Sequence, residues 1–369
     1  MTDAYAEQSK CIYCLKCKPT SEFNREHVIP QMMGTYDGNG YVLNRNEVCK
    51  ECNDSFSKYL ENSISLDSLE GLFRTQYVAT PMSDGHRLGQ KRLTITGQES
   101  IFKGLKFQAV SDANFSERIH LDIVPAIGII HDEEKEEYDY YPIDGLCCCS
   151  DEMRGKLLLS KRPFVFFGYE KELVYSALEA KGFTMERLKL TLQESVRDIT
   201  SMQELSVQIN EKIDTILNRL AAKTIFNFMC YTYGKEYILG HQFDHFRNFV
   251  RFGRIERELP ICFNNGMLTG IPQHVDKCHT VGTAWTAIDD HIYLCGFVSW
   301  FGCITYTYAI QRWVTKVVNV LPHNRVTVFD NTNRRTIAVP DAFCYIDWPG
   351  NEGKLNKPGL INLAGDTHA

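Results

Sequence analysis

Two Cys-x-x-Cys pairs lie within the first 55 residues of this chain, Cys11-Ile12-Tyr13-Cys14 and Cys49-Lys50-Glu51-Cys52. Between them runs Arg25-Glu26-His27-Val28-Ile29-Pro30, and Asn53 follows the last cysteine. A Cys-x-x-Cys turn points two sulfurs at one ion, and a second such turn completes a closed tetrahedron suited to structural Zn²⁺. So short a stretch buries little core by itself, and a metal staple is the expected remedy. Cys17 extends the first run to Cys11-x-x-Cys14-x-x-Cys17, so the first knuckle is either Cys11/Cys14 or Cys14/Cys17. The reading adopted is Cys11, Cys14, Cys49 and Cys52.

The framed residues suit phosphodiester hydrolysis. That reaction needs an activated water, neutralisation of phosphate charge and help for the leaving oxygen, and one divalent ion can supply the last two. A neutral imidazole, with an ordinary pKa near 6.5, suits the first, which makes His27 the candidate base. Glu26 and Asn53 are oxygen donors fit for a hard ion such as Mg²⁺. Neighbours in a strand point to opposite faces. Glu26 and His27 therefore share a site only if the backbone twists or the ion sits at the strand's edge.

Cys-Ile-Tyr-Cys, Arg-Glu-His-Val-Ile-Pro and Val-Cys-Lys-Glu-Cys-Asn together resemble the HNH endonucleases, the zinc-stapled branch of the ββα-metal nucleases, over residues 11–56 and perhaps to 78. The resemblance implies that His27 activates water and that Asn53 binds the catalytic ion, Mg²⁺ or Mn²⁺. Glu26 would be a second ligand or an orienting group. The family's middle Asn falls on Asn44, which would orient His27, with Asn46 as the competing assignment. Glu26 stands where the family more often has Asp, and Asn53 where it has His or Asn. The substrate implied is DNA.

The elements that must position these residues make an α+β chain. The expected organisation is an HNH domain over residues 1–78, then an α+β binding or regulatory region over 79–369 with a long helix and antiparallel strands. After Cys52, the apolar residues Phe56, Leu60, Ile64, Leu69 and Phe73 follow helical spacing. Residues 79–90 read as a linker. Strands are predicted over 118–124, 127–131 and 163–167, with an acidic loop at 132–139. The clearest helix is predicted over 201–232, stopped by Gly234, and a second covers 243–252. Strands return at 291–300 and 303–310, and the tail from Gly350 reads as loose.

A hydrophobic content of 44% and a charged content of 23% are those of an ordinary globular protein. No apolar run is long enough to span a membrane, no signal peptide is read at the start, and the many cysteines read as reduced thiols, so a cytoplasmic location is expected. The net charge of −6 sits awkwardly with DNA binding, and residues 1–78 hold eight Lys/Arg against eleven Asp/Glu. Any grip on DNA must come from local patches. Candidates are Lys91-Arg92, Lys156 with Lys161-Arg162, and Arg247, Arg251, Arg254 and Arg257.

Other features read as structural. His274, Cys278 and His279 match no closed metal site, Cys147–Cys149 suit neither a shared metal nor a disulfide, and Tyr138, Tyr140 and Tyr141 have acidic neighbours unfit for base stacking. Ala221-Ala222-Lys223 suits tight helix packing, with Lys223 laid along the surface. No phosphate-cradling glycine loop is found, which argues against ATP-driven movement by this chain. The leading reading is a metal-dependent DNA endonuclease in a gated defence or restriction role, switched by a ligand or partner protein. A homodimer would supply two cuts on a duplex. The alternative is a zinc-stapled nucleic-acid or protein binding module without turnover.

Overall fold

The structure, a computed structural model, describes residues 7–37, 41–78, 87–88, 92–99, 102–111, 119–132, 137–142, 165–167, 206–254, 261–265, 277–288, 291–312 and 325–339, with isolated positions between 155 and 180. It is an α+β protein of two compact units, one formed by residues 1–81 with 213–369 and the other by 82–212.

The first unit opens with a small antiparallel pair, β1 (Gln8–Lys10) and β2 (Cys17–Pro19), that flanks the first cysteine turn. The hairpin β3 (Phe23–His27) and β4 (Val42–Cys49) follows. Its register is broken: Asn24 pairs with Val48 and Glu26 with Leu43, so Arg25 alone faces the four residues 44–47. This bulge re-aims the side chains beside it. Helix α1 (Lys50–Phe56) runs into a π turn (Ser57–Glu61), α2 (Asn62–Leu66) and α3 (Leu69–Tyr77). Ser68 caps α3 by accepting from the Gly71 N–H at 2.9 Å.

The second unit is antiparallel sheet. In it, β5 (Arg87–Leu88), β6 (Leu93–Gly97), β7 (Lys106–Ser111), β8 (Ile119–Ile123) and β12 (Val207–Glu211) form one sheet. The strands β9 (Ala126–Asp132), β10 (Glu137–Pro142) and β11 (Val165–Phe167) form another. The acidic stretch is paired at both ends, Glu137 opposite Asp132, and the rings of Tyr138 and Tyr140 stack 6.0 Å apart over Gly128. Cys147–Cys149, most of the 79–90 linker, Lys91, Lys156, Lys161, Arg162, Arg257, His274 and the tail lie outside the described residues.

The chain returns to the first unit with α4 (Thr215–Tyr233), α5 (Lys235–Ile238) and α6 (Asp244–Phe252). The long helix starts at Thr215 rather than near 201, because Asp214 Oδ1 accepts from the N–H groups of Ile216 and Leu217 at 2.9 and 3.0 Å. Residues 207–211 instead pair with β6. Gly234, at φ +86°, ends α4. A six-stranded antiparallel sheet completes the unit in the order β13 (Ile261–Asn265), β16 (Ile304–Arg312), β15 (His291–Trp300), β14 (Cys278–Ile288), β17 (Arg325–Asp330), β18 (Arg335–Val339).

Helix α4 is buried without interruption from Leu220 to Cys230, as expected of a helix covered on all sides. One side lies on β14–β16, and the other on β4, the π turn and α2. A Cβ on Gly296 of β15 would come within 2.2 Å of Ile225, so glycine there lets helix and sheet close together. One core runs from Ile12, Tyr13, Val48 and Phe56 through Phe226 and Phe228 to Val298 and Tyr308. The amino-terminal segment therefore shares its core with α4. No helix among the described residues is long and apolar enough to cross a membrane.

Candidate active site

The sulfurs of Cys11, Cys14, Cys49 and Cys52 lie within 4.8 Å of one another. Tetrahedral zinc with Zn–S bonds of about 2.3 Å requires sulfurs about 3.8 Å apart. Cys14 Sγ and Cys49 Sγ are 3.8 Å apart. Main-chain N–H groups of Tyr13 and Cys49 each reach Cys11 Sγ at 3.4 Å. The Cys11 thiol is held down to about 4, chiefly by a hydrogen bond from the Cys52 thiol, while burial pushes Cys49 up to about 11. The donor set fits structural zinc, whose charge lets four sulfurs be anionic in so small a space. Cys17 is exposed on β2 and stands outside the cluster.

Both inner residues of the first knuckle are gripped from the carboxy-terminal half of the chain. Arg247 Nε donates to the Ile12 carbonyl at 2.6 Å, and the Tyr13 hydroxyl donates to Asn227 Oδ1 at 2.7 Å. Arg247, a candidate for touching DNA by sequence, is instead buried, with further bonds to the Ile238 carbonyl and Asp244. Arg251 and Arg254 lie over the exposed ring of Phe252, at 4.4 and 5.6 Å from its centroid.

Beside the cluster opens a cavity of about 520 Å³ lined by Asn24, Arg25, Glu26, His27, Pro30, Gln31, Asn53, Asp54, Ser57 and Glu61. The bulge of β4 against β3 lets Glu26 and His27, neighbours in a strand, both reach it. Asn53 arrives from α1, one residue beyond the cysteine cluster. Its Nδ2 donates to Asn24 Oδ1 at 3.0 Å and to the Arg25 main-chain carbonyl at 3.2 Å. A carbonyl only accepts, so Nδ2 must face it, and Oδ1 remains for an ion.

His27 is half-buried, with Nε2 3.1 Å from Gln31 Nε2. Burial lowers the imidazole pKa below its ordinary value; Lys223 and Arg25 add to this, against Glu61. His27 therefore stands neutral at physiological pH, the form a general base needs.

Glu26 is nearly fully buried. Its Oε1 accepts from Asn227 Nδ2 at 3.0 Å and is paired with the Lys223 ammonium. Burial raises its pKa, with Glu61 adding and Lys223 opposing. Lys223 is fully buried rather than laid along the surface, and also pairs with Glu61 at 2.7 Å. Burial alone would lower its pKa, but Glu26 and Glu61 together hold it above the ordinary value. Glu61 comes from the π turn, a local widening found often where function requires it.

Asn44 does not line this cavity. It sits in the bulged part of β4, where its side-chain amide donates to Glu47 Oε1 at 3.3 Å. Asn46 offers its carbonyl to Ser9 and Lys235 on another face. His279 is buried and structural, near Met33, Phe301 and Asn331, with its pKa pushed down to about 4 by burial. Lys223, Asn227, Glu61 and Asn24 were absent from the expected site. The available signal was Lys223 and Asn227, two polar residues four apart within the mostly apolar run Leu220 to Cys230.

Residues 11–67 match the family model described as HNH endonuclease, the segment to which the sequence resemblance pointed. The matched segment thus carries the likeness to the nuclease family together with four cysteines placed to hold a metal ion. No curated protein and no solved structure matches the chain.

Proposed function

We propose that this protein is a metal-dependent HNH endonuclease that hydrolyses DNA phosphodiester bonds. The observation that carries the reading is the cavity where a neutral His27, the Asn53 amide and the Glu26 carboxylate meet next to the cysteine cluster. His27 Nε2 takes the proton of the attacking water, in the place now occupied by the Gln31 amide. Asn53 Oδ1 and Glu26 Oε2 are the oxygens that would hold Mg²⁺ or Mn²⁺, donors of the hard kind such ions prefer. A bound ion there would neutralise phosphate charge and stabilise the leaving oxygen. Asn44, which does not line the cavity, would act only through the shape of the β4 bulge.

A chain of net charge −6 binds DNA weakly through general electrostatics, which favours an enzyme gated by a ligand or partner, as a defence role requires. Arg251, Arg254 and Phe252 would add a local basic and aromatic contact. A dimer would make paired cuts. The cytoplasm is the compartment that suits reduced thiols and this substrate. The test is incubation of purified, zinc-loaded protein with supercoiled plasmid and with matched DNA and RNA oligonucleotides, in Mg²⁺, Mn²⁺ or chelator. Metal-dependent nicking of DNA is expected. Binding of nucleic acid without cleavage in any metal would leave the non-catalytic zinc module as the reading.

A further inference from the structure

Helix α4 lies outside the segment that matches the nuclease family, yet two of its side chains stand directly behind the cavity. Lys223 and Asn227 are one helical turn apart on one face, both buried. Asn227 Nδ2 donates to the His27 main-chain carbonyl at 3.1 Å as well as to Glu26, and its Oδ1 takes the Tyr13 hydroxyl, so its amide is anchored at both ends. Lys223 touches Glu26 and Glu61, both of which line the cavity. For packing alone, apolar residues at these positions would serve a buried helix as well or better, since a buried ion pair rarely outperforms well-packed hydrophobic side chains.

We propose that Lys223 and Asn227 are positioning residues of the nuclease centre. Asn227 fixes the main chain of His27, and Lys223 fixes the Glu26 carboxylate so that its second oxygen faces the divalent ion. This rests on the nuclease reading above and extends it: the centre is assembled from two distant stretches of chain, and α4 is one of them. Glu61 balances the lysine charge. Outer groups that orient a metal ligand typically change metal affinity or activity by about 10- to 100-fold when removed.

The experiment uses the full chain. Mn²⁺ affinity is read by electron paramagnetic resonance and calorimetry without DNA, alongside zinc content, melting and plasmid nicking. Lys223→Met alone strands Glu26 and Glu61 and could unfold the protein, so Lys223→Met with Glu61→Met is compared with Glu61→Met, Lys223→Arg and Asn227→Leu. The expected result is that the double variant keeps zinc and melts cooperatively but binds Mn²⁺ about 10- to 100-fold more weakly. Glu61→Met, the background against which the double variant is read, should bind Mn²⁺ more tightly than the double variant does, Lys223→Arg should recover most of the affinity, and Asn227→Leu should slow nicking with zinc retained. Unchanged Mn²⁺ affinity in the folded double variant, or unchanged nicking in Asn227→Leu, overturns the proposal while wild-type nicking keeps the nuclease reading intact. Loss of affinity in Glu61→Met equal to that of the double variant assigns the role to Glu61 and also overturns it. Wild-type protein that neither binds Mn²⁺ nor nicks removes the nuclease reading itself.

Discussion

The side-chain amide of Asn227 reaches the carboxylate of Glu26 across 201 residues of sequence, Nδ2 to Oε1 at 3.0 Å. Tyr13, from the first cysteine turn, bonds the other end of the same amide at 2.7 Å. The cysteine cluster, the Glu26-His27 pair and the long helix are thus joined through one asparagine. Tyr13→Phe should therefore destabilise the protein by about 1–3 kcal/mol, the range for leaving a buried polar partner unpaired. Zinc content should not change, because Tyr13 is not a ligand. Calorimetric melting with metal analysis checks both, and an unchanged melting temperature would mean the bond carries no net stability.

The cysteine cluster sets a stoichiometry. One zinc per chain is expected in wild type and in Cys17→Ser, with loss of zinc and of cooperative melting in Cys14→Ser or Cys49→Ser. Removing zinc with a chelator should lower the melting temperature, since metal binding to a site of this kind contributes directly to folding. Zinc retained in Cys11→Ser but lost in Cys17→Ser would shift the first knuckle to Cys14/Cys17.

Asn53 joins α1 to β3 and offers an oxygen to the cavity. Asn53→Ala loses the bonds to Asn24 and Arg25, each worth about 0.5–1.5 kcal/mol net, together with the proposed metal donor. A modest drop in melting temperature and a large rise in the Mn²⁺ needed for half-maximal nicking are expected. A variant that cuts at the wild-type Mn²⁺ concentration would remove Asn53 from the metal site.

How much of this was legible in the sequence differs from element to element. The four sulfurs and the dyad were readable because their spacing is local. The site's other half was not: that Glu26 meets Lys223 and Asn227 depends on the packing of α4, which no spacing near residue 26 encodes. The start of α4 was misread because Leu205, Ile209 and Ile213 recur every four residues, a period that a helix face and one face of a strand share. The structure makes residues 207–211 a strand and begins the helix at the Asp214 cap. Arg247 looked like a surface cation because charge alone does not reveal a partner such as the Ile12 carbonyl.

The pH dependence follows from His27. Its pKa is lowered by burial first and by Lys223 and Arg25 next, and the proposed base is its neutral form. Nicking should therefore rise with pH on the acid side and level off, with a midpoint below the ordinary histidine value of 6.5. Arg25→Gln removes one cation that disfavours protonation, so its midpoint should move up. The profile of kcat/KM against pH at saturating metal reads this, and a midpoint moving down in Arg25→Gln would contradict the assignment of His27.

The most direct measurement is the plasmid-nicking rate of zinc-loaded wild type against His27→Ala, in Mn²⁺ and in Mg²⁺. If the imidazole at the cavity is the base, the variant should hold its zinc and melt close to wild type while cutting about 10²- to 10⁴-fold more slowly. A His27→Ala protein that nicks at the wild-type rate would contradict the assignment outright.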